Sequence, residues 1–303
     1  MITKRISFGE SILSRVYRDQ NVGIHIKDYY DYCFNLIVDN LQSSDKQVDV
    51  SLGKSSFDNS VRLDIQPEHT LVKLGGRSVA KPVLGNIPTN DAGENYLVRI
   101  DKFDYYRSLD GVIEYSVPNI INMNSCFDEE VVEYSKKCRY VAPLIYDKDR
   151  LEHNERSGVF TLFTLGSSSR RDLFHKDSGI ENIADEFCSD NLSELYYNKA
   201  IMVNIHQTDH HHTFEELRVL PALSQGLVVI AEDSPLKEHI PYSDSIVWSS
   251  LENMRDVIRD VESNYQSYRQ KIFTSKLSAT LQKLRQNNVT NISELIWQNK
   301  TSN

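Results

Sequence analysis

Short apolar runs, each followed by a polar loop and an amphipathic segment, organise the second half of the chain. "VFTLFTLG" (159–166), "IMVNIH" (201–206), "LVVIAE" (227–232) and "SIVWSS" (245–250) have the pattern of buried strands. "IENIADEF" and "LSELYYNKA" read as helical pieces, and a helix is predicted from Phe214 to Gln225, stopped by Gly226 at C′. "SPLKEHI" is a short helix or turn, and from Leu251 onward the pattern is long, amphipathic and helical. Apolar strands that alternate with helices, without hairpin signals between them, predict βαβ units on a parallel sheet.

The first half is less regular. "YYDYCFNLIVDNL" predicts a helix, and further helices are expected near 102–109 and 128–137. "VDVSLG", "RLDIQ", "TLVKL", "YLVRI", "GVIEYS" and "RYVAPLIY" are strand candidates, so this half is mixed α/β. The polar stretch "DKDRLEHNERSG" (147–158) has no apolar periodicity and is expected to link two domains. The boundaries that follow are a domain over 1–150, a second over 151–270, and a C-terminal helical segment over 271–303.

Composition narrows the function classes. The 303 residues are enough for two cores, and a formal net charge of −9 argues against general nucleic-acid binding. A few arginines can still make one cleft attractive to a small anion. No apolar h-region follows the basic start, and no run approaches a membrane span, so a cytoplasmic protein is expected. Cys33, Cys126, Cys138 and Cys188 form no CxxC pair, which suits reduced thiols.

On parallel sheets, ligands bind beyond the carboxyl ends of the strands. "GSSSRR", "HQTDHHHTFEELR" and "AEDSP" each lie just after a strand and so converge on one sheet edge. In the second loop, Thr213 and Glu216 have capping-box spacing, which would leave Glu215 to face a ligand. Phe214 opens the predicted helix, and its first-turn amides favour a negative group. Arg218, one turn in, could bond a phosphate. His206, at the strand end, is the histidine expected to line the pocket. Gly166 permits close backbone approach, Ser167 and its neighbours can cradle oxygens, and Arg170 and Arg171 can neutralise a diphosphate. Consecutive histidines at 210–212 lack the i, i+4 spacing that brings two imidazoles onto one ion, so a metal is not expected there. "GKSS" (53–56) lacks the first glycine of a P-loop, no GxGxxG follows a strand, and no GxSxG elbow is present.

"LYYNKAIMVNIH" followed by "TFEELRVLPALSQGLVVIAEDSP" resembles the donor domain of GT-B glycosyltransferases over about residues 159–250. The whole chain is similar to the small stand-alone glycosyltransferases of large algal DNA viruses, which include a xylose-adding type. The resemblance implies two Rossmann-like domains facing a cleft, with the C-terminal segment returning to the N-terminal domain. It implies a sugar moved from a UDP-sugar to a glycan acceptor without a metal or other cofactor. Glu215 would take the ribose hydroxyls, and Arg170, Arg171 and Arg218 the diphosphate. The N-terminal domain would present the acceptor, with Arg77 and Ser78 in the loop "LGGRS". It would also hold a general base, for which Glu10, His25, Asp28 and His69 are candidates. The chain departs from many retaining members: position 223, where their second glutamate would fall, is Leu, and Pro221 interrupts the helix. Two alternatives stay open. One is a metal-dependent transferase using Asp147 and Asp149 of "DKD"; the other is a non-catalytic module that binds a glycan or nucleotide.

Overall fold

A computed structural model describes the chain apart from residues 1, 9–10, 45, 55, 57, 68–70, 73–96, 99–102, 126–128, 153–154, 167, 184–191, 207–212 and 299–303. It divides into two units, Met1–Ala142 with Leu284–Asn303, and Pro143–Lys283. The polar stretch 147–158 lies inside the second unit.

Unit 1 opens with β1 (Ile2–Phe8) and β2 (Ser11–Arg18), an antiparallel pair. There follow α1 (Lys27–Gln42), β3 (Val50–Leu52), β4 (Val61–Gln66), β5 (Leu71–Val72), β6 (Leu97–Val98) and α2 (Phe103–Arg107). β7 (Gly111–Glu114), α3 (Val117–Asn124), α4 (Glu129–Ser135) and β8 (Cys138–Tyr140) complete the series. The main sheet has the order β1-β2-β3-β4-β7-β8 and is parallel from β2 onward, while β5 and β6 pair separately. Val50, Leu52, Leu63, Ile65, Val112 and Ile113 are buried on the central strands. α1 packs a stripe of Tyr29, Tyr30, Cys33, Phe34, Ile37, Val38 and Leu41, at the three- and four-residue spacing of a one-sided helix. The outer strand β1 leaves Lys4 and Arg5 exposed, charges that discourage pairing with another edge.

Unit 2 runs β9 (Ser157–Thr161), α5 (Ser169–Ser178), β10 (Glu181–Asn182), α6 (Leu192–Asn198), β11 (Lys199–Asn204) and α7 (Glu216–Ser224). Then come β12 (Val228–Glu232), β13 (Val247–Ser249), α8 (Met254–Ser263), α9 (Tyr265–Ile272) and the start of α10 (Ser275–Trp297). Its sheet is parallel throughout, in the order β10-β9-β11-β12-β13. From β9 the chain goes one way to β10 and the other way to β11. The ends of β9 and β11 therefore flank the topological switch point of a doubly wound sheet.

The parallel α/β reading holds, with local corrections. Glu181 and Asn182, read as the start of a helix, form β10. The Asn182 side chain takes hydrogen bonds from the Thr161 hydroxyl (2.8 Å) and the Phe163 amide (2.9 Å), a tertiary attachment that overrides local propensity. α7 ends as predicted: the amides of Gly226 and Leu227 return to the carbonyls of Leu223 (3.0 Å) and Ala222 (3.1 Å), the paired bonds of a Schellman cap. Gly226 has φ 84°, and a Cβ there would meet the Arg150 carbonyl oxygen at 2.3 Å.

The last part of α10 belongs to unit 1. Its fully buried Asn288 is bonded like a strand edge, accepting from the Ala142 amide (2.7 Å) and donating to the Ala142 carbonyl (2.8 Å). Trp297 donates to Asn40 of α1 at 3.2 Å. A buried amide with its groups matched in this way holds one register and rejects others.

Candidate functional site

The switch point is bordered by the ends of β9, β11 and β12. After β9, Gly166 adopts φ 77° in a tight turn, and its amide donates to Asp172 at 2.9 Å. Ser168 then caps α5, accepting from the Arg171 amide at 3.3 Å. This cap sets Arg170 and Arg171 on the first turn. Arg171 turns inward, with its guanidinium 4.9 Å from the Phe163 ring centre and its Nε donating to the Ile205 carbonyl at 2.8 Å. Arg170 forms a two-pronged pair with Glu232, the last residue of β12, and reaches the His206 carbonyl at 3.3 Å.

Glu215 joins these parts. It stands at the N-cap of α7 and is 6 % exposed. One oxygen accepts from Arg171 at 3.2 Å; the other accepts from Asn204 at 3.0 Å and lies 3.0 Å from His206 Nδ1. Arg218, half-buried on the same helix, donates to Asn204 at 2.9 Å. Three guanidinium groups thus meet two carboxylates in a buried setting, leaving a positive excess. Burial, followed by the neighbouring Arg218, draws the Arg171 guanidinium down to about 10, against the pull of Glu215 and Glu232, so it stays charged at neutral pH. An anion at this edge would meet fixed charges and helix-start amides, a preorganised stabiliser of developing negative charge.

The capping box does not form. Glu215 rather than Thr213 occupies the cap position, and no side chain bonds a cap amide. Glu216 instead accepts from the Tyr242 hydroxyl at 2.9 Å, a buried tertiary bond that outcompetes the local one. Thr213 is fully buried just ahead of α7, and Phe214 packs on Trp248 with ring centres 5.0 Å apart. Glu215 is not left facing open space, because its oxygens already hold Arg171, Asn204 and His206.

Gly166, Arg170, Arg171, His206, Thr213, Phe214, Glu215 and Arg218 are brought to one edge of unit 2. Ser167 lies outside the described residues, as do Glu10, His69, Arg77, Ser78 and His210 to His212. His25 is exposed on a short turn before α1, and Asp28 is half-buried on the first turn of α1. Asp147 is exposed and Asp149 half-buried, and among the described residues no group of three His, Cys, Asp or Glu side chains is placed to hold a metal. Sequence reasoning missed Asn204 and Glu232. The signal for both was a polar residue closing an apolar strand run, "IMVN" and "VVIAE". In unit 1 it missed Asp64 on β4, which accepts from Tyr30 (3.0 Å), Tyr105 (2.8 Å) and the Ile65 amide (2.8 Å). Burial raises the Asp64 carboxyl above the usual carboxylate range, against the pull of those bonds.

No family model and no curated protein sequence matches the chain. Solved structures match in shape. The crystal structure of T4 phage BGT in complex with its UDP-glucose substrate aligns over 94% of this chain and 99% of its own, with a TM-score of 0.51 and 9% identity. TarM aligns over 84% of this chain and 54% of its own, with a TM-score of 0.37 and 9% identity. An alpha1,3-fucosyltransferase aligns over 94% and 93%, with a TM-score of 0.39 and 12% identity. The phage likeness spans nearly both chains, and the shared architecture is the α/β GT-B class with two Rossmann-like units.

Proposed function

We propose that the protein is a glycosyltransferase that moves a sugar from a UDP-sugar donor to a glycan acceptor without a metal ion. The observation that carries this is the convergence of Arg170, Arg171 and Arg218 on the switch-point edge of unit 2, beside the starts of α5 and α7. Guanidinium groups there would hold the diphosphate and stabilise it as it departs, the task a divalent cation performs elsewhere. Gly166 and Ser167 would border the phosphates, and Thr213 and Phe214 the nucleoside side. Glu215 would meet the ribose while also holding Arg171 and His206 in place. Unit 1 would present the acceptor, through Arg77 and Ser78, and a base drawn from Glu10, His25, Asp28 and His69. A preference for xylose and a viral source rest on the sequence resemblance.

Thermal melts with UDP-, GDP-, TDP- and CMP-sugars, UDP-xylose included, test this with and without EDTA. Ligand at a hundred times its dissociation constant adds about 2.7 kcal/mol, roughly a few degrees at this size. A UDP-specific shift that survives EDTA, joined by slow sugar release, is the expected result. A shift that needs metal favours Asp147 and Asp149. Binding without any sugar release favours a non-catalytic module, and no shift with any nucleotide overturns the donor site.

A further inference from the structure

We infer that His206 is held as a buried imidazolium whose charge, acting through Glu215 and Glu232, sets how tightly the site takes a nucleoside diphosphate. The coupling to donor rests on the function proposed above; the charge state does not.

The geometry is that of a ring between two acceptors. His206 is 3 % exposed; its Nδ1 lies 3.0 Å from a Glu215 oxygen and its Nε2 lies 3.2 Å from the Asp233 carbonyl oxygen. A carboxylate and a carbonyl can only accept. A neutral imidazole has one N–H, so either tautomer would point a nitrogen lone pair at an oxygen lone pair. The doubly protonated ring satisfies both sides. The backbone adds to the same effect, since the His206 amide donates to Glu232 at 3.0 Å.

The groups around the ring decide the balance. Glu215 and Arg218 face this cluster from α7, Arg170 and Arg171 from α5, Asn204 from β11, Glu232 from the end of β12 and Asp233 just after it. Burial is the largest single influence and pulls the imidazole down. Glu215, by charge and hydrogen bond, then Glu232 and the Asp233 carbonyl outweigh it and leave the group raised above 6.5. The ring itself is enclosed, and both its nitrogens are taken by Glu215 and the Asp233 carbonyl. It is a positioning residue: by neutralising Glu215 it leaves more of the field of Arg171 and Arg218 for an anion at the rim. Loss of its proton halves the positive excess of the cluster.

The test uses the intact chain. Long-range ¹H–¹⁵N spectra read the protonation of each histidine ring, and the His206 signals are those that vanish in His206→Gln. UDP affinity is measured by calorimetry across pH 6 to 9 for both proteins. Both His206 nitrogens should carry protons at pH 7, and wild-type affinity should fall as pH rises through the ring's titration. His206→Gln should bind about tenfold more weakly at pH 6.5 and lack that pH limb. A neutral ring at pH 7 overturns the inference, as does a variant that keeps the wild-type pH profile. If the variant does not fold, the wild-type ring titration and affinity profile must still coincide, and disagreement between them overturns the coupling. A wild type that binds no UDP sinks the donor reading instead; inorganic pyrophosphate titrated in the same buffers then tests the coupling directly.

Discussion

Glu215→Gln keeps the size of the side chain and removes one charge, and the site geometry makes that expensive. One Glu215 oxygen serves Arg171 and the other serves Asn204 and His206, so both oxygens accept from donor groups. The glutamine NH₂ group must take one of those places and oppose a donor with a donor. Arg171, 5 % exposed, would also lose the countercharge it was buried with. Breaking a buried charge pair by removing one partner costs about 3–5 kcal/mol. With a urea dependence of about 2 kcal/mol per molar, the midpoint of unit 2 should fall by roughly 1.5–2.5 M. The two tryptophans make this measurable, because Trp248 belongs to unit 2 and Trp297 to unit 1. In a Trp297→Phe background, fluorescence follows Trp248 alone, and Trp248 packs on Phe214 next to the substituted residue. The exposed Glu238→Gln serves as the control and should move the midpoint hardly at all. A Glu215→Gln shift under about 0.5 M would refute the reasoning, and would mean that the carboxylate serves only a ligand.

Other consequences are open to direct test. Gly226→Ala places a methyl against the Arg150 carbonyl at a positive φ and should cost about 2 kcal/mol or more, read as a drop of several degrees in Tm. Arg170→Ala strips Glu232 of its two-pronged partner and should cut sugar transfer about 10²-fold; a loss under about threefold would remove Arg170 from the diphosphate. Because His206 is raised in the folded state, the stability it adds is full below about 6.5 and is lost as pH rises through the folded value. The urea midpoint reported by Trp248 should therefore decline from pH 6.5 toward 9 in the wild type and stay flatter in His206→Gln.

What could be read from the sequence was what is decided locally. β11 and β12 are uninterrupted apolar runs, and the stop of α7 at Gly226 depends on a left-handed residue that only a few side chains tolerate. That Arg170, Arg171, His206 and Glu215 would gather near the strand ends was expected from strand order and polarity. The capping of α7 was not, because Glu216 answers to Tyr242, a partner remote in sequence. β1 and β2 were not seen, as a two-stranded edge carries little apolar alternation to detect. β10 was missed for its length of two residues and because Asn182 is fixed by Thr161 and Phe163 rather than by its neighbours. The internal bonding of Glu215 was beyond reach as well, since its donors come from α5 and from the end of β11, both remote in sequence from α7.

The ownership of α10 bears on the order in which the chain acquires its shape during synthesis. Unit 2 is one uninterrupted stretch, Pro143–Lys283, whereas unit 1 requires Leu284–Asn303 as well. Asn288 supplies the polar partner of the Ala142 backbone and Trp297 that of Asn40, so these groups wait without their native contacts while everything between is translated. At about 5–20 residues per second, that interval is long compared with the folding of a small domain. The second unit in sequence is thus the first able to finish, and the first completes its contacts only when α10 has been made.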